Sequence, residues 1–266
     1  MSRPTDEVPE IDRGPGRAIV FAHGMGFDCR LFEPQADYLC RDFRTIAYNL
    51  RARSSRGSEP YTLYDLVGDF TTLLDERGID RCVLVGMSMG GYTAVRAALV
   101  APHRLYGVVL IGASAVPFPA EDVNSWRVDA ERWRTRAVLG SAQGRADAEQ
   151  NFSRLTIRRN PKLISLWAQR MAARSGTSSY YEFMSWAYQD DVRQAFSRVT
   201  VPCMMIHGQD DTAVPLAHVL ETHRLRPSTR LMVLPYGGHA ANLEYPDTVS
   251  EAIRSFCTES IASALR

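Results

Sequence analysis

The chain predicts an α/β fold: a mostly parallel sheet with helices on both faces, interrupted by a helical insertion. Three observations predict it. Short apolar runs alternate with segments of helical periodicity from residue 17 to 111, and again from residue 201 to the end. The runs carry no polar alternation, as in Val108-Val109-Leu110-Ile111, which suits strands covered on both faces. From about Pro117 to Val199 the strand signal stops and only helical patterns remain. The expected organisation is a core of residues 1–116 and 200–266 with a lid of residues 117–199.

Composition narrows the function classes. With 266 residues, 45% of them hydrophobic, the chain is long enough for one large domain plus an insertion. A net charge of +1 supplies no global field for nucleic acid or an anionic membrane, so neither is expected as a partner. The five cysteines, Cys29, Cys40, Cys82, Cys203 and Cys257, are odd in number and show no CxxC pairing. Free thiols in a reducing compartment are expected. Met1 to Asp12 is polar, and no apolar run reaches the roughly 18 residues of a membrane helix. The expectation is a cytoplasmic monomer or homodimer acting on a small molecule.

The elements follow in order. Arg17 to Ala22 reads as a buried strand ending in His23-Gly24-Met25-Gly26. Leu31 to Leu39 reads as a helix with Leu31, Phe32, Ala36 and Leu39 as its apolar set. Arg44 to Tyr48 is a strand, and Asn49 to Pro60 a polar loop. Thr62 with Asp65 resembles a capping box, and Leu63, Leu66, Val67, Phe70, Leu73 and Leu74 share one face up to the stop at Gly78. The strand at Cys82 leads through Gly86-Met87-Ser88-Met89-Gly90 into an Ala-rich helix ending near Ala101. Leu105 to Ile111 is another strand. After the insertion, Val201 to His207 is a strand that runs into a turn holding Asp210 and Asp211. Pro215 opens a helix to about His223, and Arg230 to Leu234 is the last strand. Tyr236-Gly237-Gly238-His239 is a loop, and a final amphipathic helix runs to about Ala264.

Gly86-x-Ser88-x-Gly90 is the nucleophile-elbow pattern. A strand that turns at once into a helix strains the serine backbone and leaves room only for glycine two residues either side. The Met89 N–H then lies at a helix N-terminus, facing any anion that forms on the serine. Ser88, Asp211 and His239 each follow an apolar strand, and reactive groups of open parallel sheets gather at such ends. A serine hydroxyl needs a base, imidazole suits the task near neutral pH, and a carboxylate holds the imidazole tautomer. The remaining histidines, His103, His207, His218 and His223, lack metal-ligand spacing and read as structural or surface.

With these motifs the chain resembles the α/β-hydrolase superfamily along nearly its whole length. His23-Gly24-Met25-Gly26 is similar to the family's oxyanion loop, Gly208 to Pro215 to its acid turn, and His239 with Glu244 and Pro246 to its histidine loop. The best likeness is to single-lid enzymes such as 3-oxoadipate enol-lactonases and related carbon–carbon bond hydrolases. The resemblance selects Asp211 over Asp210, makes Met25 and Met89 the backbone oxyanion donors, and gives His23 a bracing role. It implies a serine hydrolase of a carboxylic ester or lactone, with no metal or organic cofactor. Carbon–carbon bond hydrolysis, acyl transfer, perhydrolysis and a non-catalytic receptor are the alternatives.

The chain departs from the family pattern in the loop after Tyr48, where Ala52 and Ser54 replace glycines. The short N-terminal segment also predicts a missing or shortened leading edge of the sheet. All four tryptophans, Trp126, Trp133, Trp167 and Trp186, fall in the insertion. They are candidates to line a pocket for a substrate with apolar or aromatic surface; the alternative is that they form the lid's own core.

Overall fold

The computed structural model describes residues 8–266. These contain seven strands: β1 (Ile11–Arg13), β2 (Ala18–Ala22), β3 (Arg44–Tyr48), β4 (Cys82–Met87), β5 (Leu105–Ile111), β6 (Cys203–Gly208) and β7 (Arg230–Leu234). They form one sheet in the order β1-β3-β2-β4-β5-β6-β7. Every neighbouring pair is parallel except β1 with β3. Among the described residues the leading edge is one three-residue antiparallel strand. Register aligns Ala22 with Gly86 and Gly86 with Leu110, so the carboxyl ends of the central strands open onto one rim.

Successive strand residues feed opposite cores, as a pleated sheet requires. Val20, Ile46, Leu84, Leu110 and Met205 face one side. Ile19, Phe21, Val85, Val109 and Ile206 face the other. The first side is covered by α2 (Leu63–Glu76) and α3 (Met89–Val100), the second by α1 (Glu33–Leu39) and α12 (Pro246–Ala264). The Thr62–Asp65 capping box opens α2, each side chain taking the other residue's N–H. The helix expected from Leu31 begins instead as a 3-10 turn, Cys29–Phe32, capped by the Asp28 side chain; α1 then starts at Glu33 with Pro34 in its first turn.

The loop after β3 folds into two 3-10 turns, Arg51–Arg53 and Ser55–Ser58. Ser54 sits between them at φ −118°, ordinary extended backbone, and its side chain caps the second turn. The position therefore needs no glycine.

Between β5 and β6 lie six helices: α4 (Ala120–Glu131), α5 (Ser141–Asn151), α6 (Arg154–Arg159), α7 (Pro161–Ala172), α8 (Gly176–Ala187) and α9 (Arg193–Phe196). The insertion is tied to the core by a buried charge. Arg96 of α3, fully buried, donates from Nε (3.0 Å) and Nη2 (2.5 Å) to the Asp190 carboxylate, which also accepts from Tyr64 Oη at 2.7 Å. After β6 come α10 (Leu216–Leu225) and a short α11 (Ala241–Glu244) that the periodicity did not signal.

The five cysteines are free. No helix among the described residues is long and apolar enough to cross a membrane.

Candidate active site

Ser88 stands at the end of β4 with φ 50° and ψ −115°. It and Tyr236 are the two non-glycine residues with positive φ among those described, and such a conformation is strained for an L-residue. The glycines around it are sterically required. A Cβ on Gly86 would stand 2.1 Å from the Gly90 oxygen, and one on Gly90 would stand 2.0 Å from the Ala22 oxygen. The turn is pinned by Ser88 N–H to the Ile111 carbonyl (2.8 Å) and Gly90 N–H to the His23 carbonyl (3.1 Å). Met89 begins α3, and among the described residues its N–H has no partner.

The loop after β2 is built around His23, which is fully buried. Its Nδ1 lies 2.8 Å from the Gly24 carbonyl, and its Nε2 accepts the Leu50 N–H at 2.9 Å. Those two partners require a neutral ring with the proton on Nδ1. Burial, aided by the Arg53 charge, pushes its pKa down to about 4. His23 therefore braces the loop carrying Met25, whose N–H also lacks a partner among the described residues.

Asp211 follows β6, its side chain closed to solvent. Oδ1 accepts the N–H groups of Ala213 (2.8 Å) and Val214 (2.9 Å), while Oδ2 lies 2.7 Å from His239 Nδ1. Burial pushes the carboxyl upward, but the His239 charge and hydrogen bond outweigh it and hold the group below its usual range. Asp210 is exposed, and its N–H serves the turn by donating to the Gly237 carbonyl at 2.8 Å.

His239 lies on the loop after β7. Its ring rests on Gly112, just past β5, so closely that a Cβ there would stand 2.9 Å from Nδ1. The loop itself is held by the insertion and by α11. Ala240 N–H donates to the Asn151 carbonyl (2.8 Å), and Glu244 accepts the N–H groups of Gly238 (2.8 Å) and Ser153 (3.1 Å).

Ser88 and His239 line one cavity of about 760 Å³ together with Met25. The Ser88 hydroxyl makes no hydrogen bond among the described residues; such contacts commonly tighten only when substrate is seated. One wall is aromatic: Tyr92, Trp126, Trp133, Phe183 and Trp186. Trp126 stacks on Trp186 at 5.9 Å, and Phe118 meets both at 5.3 Å. Another part of the wall is polar, with Gln143, Asp147, Gln150, Asn151 and Arg174. Trp167, expected among the pocket candidates, lies outside this lining. It is 1% exposed and packs edge-on to Phe27 at 4.8 Å in the core on the far side of the sheet.

Sequence reasoning missed four residues near the site. His207, read as structural or surface, is buried with Nδ1 3.7 Å from Asp211 Oδ2, and neither ring nitrogen has a hydrogen-bond partner among the described residues. Its place at the end of a buried strand, four residues before Asp211, was the available signal. Gly112 and the pair Arg53–Glu182 carried no signal in the sequence. No group of three His, Cys, Asp or Glu side chains among the described residues is placed to hold a metal.

The family model for the alpha/beta hydrolase fold matches residues 17–246. A protein of Pseudomonas savastanoi pv. phaseolicola named as a candidate carbamate hydrolase, RutD, is 27% identical over 250 residues, covering 90% of this chain and 93% of the relative. Among solved structures, a thermophilic esterase from Thermogutta terrifontis, with malate bound, superposes with a TM-score of 0.88 at 26% identity, covering 95% of this chain and 93% of that one. The enol-lactonase of Burkholderia xenovorans shares the fold with a TM-score of 0.85 at 24% identity, covering 94% and 96% of the two chains.

Proposed function

The chain belongs to the alpha/beta hydrolase fold family, and on that premise we propose that it is a serine hydrolase of carboxylic esters or lactones, working through an acyl-enzyme on Ser88. The observation that carries this reading is the 2.7 Å contact between His239 Nδ1 and Asp211 Oδ2, set against the same cavity that Ser88 enters. With Asp211 accepting the Nδ1 proton, His239 Nε2 is left as a base.

In the proposed reaction Ser88 Oγ attacks the substrate carbonyl and His239 takes its proton. Asp211 stabilises the imidazolium. The tetrahedral oxygen accepts from the Met25 and Met89 N–H groups, each worth about 3 kcal/mol in the transition state. His239 then protonates the leaving alkoxide. It next takes a proton from a water that attacks the acyl-enzyme, and returns that proton to Ser88 Oγ as the bond to the acyl group breaks and the acid leaves.

Residues 117–199 serve as the lid. Their aromatic wall suits a substrate with apolar or aromatic surface, and the polar wall suits a second, hydrogen-bonding part. A carbamate is the second reading, favoured by the names of the curated relatives; its carbonyl would use the same residues.

The test is turnover of p-nitrophenyl acetate, phenyl acetate, dihydrocoumarin and a p-nitrophenyl carbamate by wild type and Ser88→Ala. The expected result is ester or lactone hydrolysis that falls at least about 10³-fold in the variant. Turnover indifferent to Ser88→Ala, or none on any member, refutes the reading. Carbamate cleaved faster than every ester transfers it to the second substrate class.

A further inference from the structure

Glu182 lies on α8 of the insertion with no exposed surface. Removing a carboxylate from water costs several kcal/mol unless charged or hydrogen-bonding partners replace the solvent. Its partners are not those of an ordinary core ion pair. Arg53 Nη2 lies 3.1 Å from Oε2, and Arg174 Nη1 lies 3.8 Å from it. The third partner is backbone: Gly26 N–H donates to Oε2 at 3.2 Å.

Gly26 is the residue after Met25, so this bond fixes the peptide on one side of the proposed oxyanion donor. The peptide on the other side is fixed through the Gly24 carbonyl, which accepts His23 Nδ1–H at 2.8 Å and Phe27 N–H at 3.1 Å. Arg53 adds a second grip, donating from Nε to the Phe27 carbonyl at 2.8 Å. Arg174 closes the loop from above: a Cβ on Gly26 would stand 2.4 Å from its Nη1. The Met25 N–H is thus aimed by groups on both sides, and two of them, Glu182 and Arg174, belong to the insertion.

We propose that Glu182 is a positioning residue of the oxyanion hole. It holds the Met25 N–H toward the Ser88 adduct, and the hole is complete only when α8 is seated on the Gly24–Phe27 loop. The proposal rests on the hydrolase reading above and extends it: the insertion does more than wall the cavity.

The experiment compares wild type, E182Q and E182L, using p-nitrophenyl acetate for kcat and KM and phenylboronic acid as an inhibitor. The boronate adduct of serine is tetrahedral and anionic, so its Ki reads the hole directly. Thermal unfolding reports the fold. For E182L, kcat is expected to fall about 10- to 100-fold and boronate Ki to rise by a similar factor, with KM within about threefold. E182Q keeps a carbonyl oxygen for Gly26 N–H and is expected to recover most of the loss, to within about tenfold of wild type. If E182L does not fold, E182Q decides alone: kcat and Ki must worsen together, by about threefold or more, at unchanged KM.

The proposal is overturned if kcat and Ki stay at wild-type values, if kcat falls without Ki, or if the loss lies in KM. With an active wild type, an indifferent E182L, or an indifferent E182Q where E182L does not fold, overturns this inference alone. A wild type without turnover or boronate binding overturns it together with the hydrolase reading.

Discussion

Gly112→Ala tests whether the imidazole is held by its packing as well as by Asp211. Gly112 lies at φ +56°, where an alanine costs roughly 1–2 kcal/mol of folding stability. The new Cβ would meet His239 Nδ1 at 2.9 Å and Cε1 at 3.1 Å. Comfortable contact begins near about 3.5 Å, so the ring must recede by about 0.5 Å. The atom pushed hardest is the one bonded to Asp211 at 2.7 Å, so the displacement strains that bond and turns Nε2 away from Ser88. Misplacement of a reacting group by about 1 Å can cost about 100-fold. The expected loss in kcat is about 10- to 100-fold, or about 1.4–2.7 kcal/mol of transition-state stabilisation. Steady-state kinetics on p-nitrophenyl acetate and urea unfolding of the same samples separate the two effects. A variant that loses stability yet keeps kcat within about twofold of wild type would refute the reasoning, because the ring would then have room to keep its orientation.

Two further outcomes follow from the same geometry. In Asp211→Asn, the amide oxygen must serve the Ala213 and Val214 N–H groups, which leaves NH₂ facing His239 Nδ1. The ring then carries its proton on Nε2 and cannot accept from Ser88, so kcat should fall by about 10⁴-fold; a loss under about tenfold contradicts the assignment. His23 supplies a pH signature. Its folded pKa of about 4 lies below the ordinary 6.5, so the unfolded chain protonates first as pH falls. Stability is therefore complete above about pH 6.5 and declines toward pH 4, by about 3 kcal/mol in all. Buried His207, also shifted down, acts in the same direction. Asp211, held below 3.8, loses its contribution only at more acid pH. Urea midpoints between pH 7 and 4.5 should fall less steeply in His23→Gln than in wild type; equal slopes would show that His23 is not the buried neutral ring described.

The rim of the sheet is legible because its constraints are local. Gly86, Ser88 and Gly90 are demanded by a turn a few residues long, and short unbroken apolar runs set against helical periodicity mark the central strands and the longer helices around it. What the sequence hides is contact between distant segments. Glu182 reaches Gly26 across 156 positions and Arg53 across 129, and nothing in either neighbourhood distinguishes it from a solvated acid. Gly112 looks like any residue leaving a strand until the His239 ring is placed on it. Trp167 and Trp186 sit on similar amphipathic helices. Which of them meets the cavity depends on how the insertion packs, and the structure sends the first to the far core and the second to the wall.

The central claim is that Ser88 is a nucleophile activated by His239. Intact-mass measurement after exposure to a fluorophosphonate tests it without knowledge of the substrate. The account predicts one phosphonyl adduct per chain, mapped to the peptide containing Ser88, absent in Ser88→Ala and strongly slowed in His239→Ala. An unlabelled wild type, or an adduct carried on another residue, would contradict it.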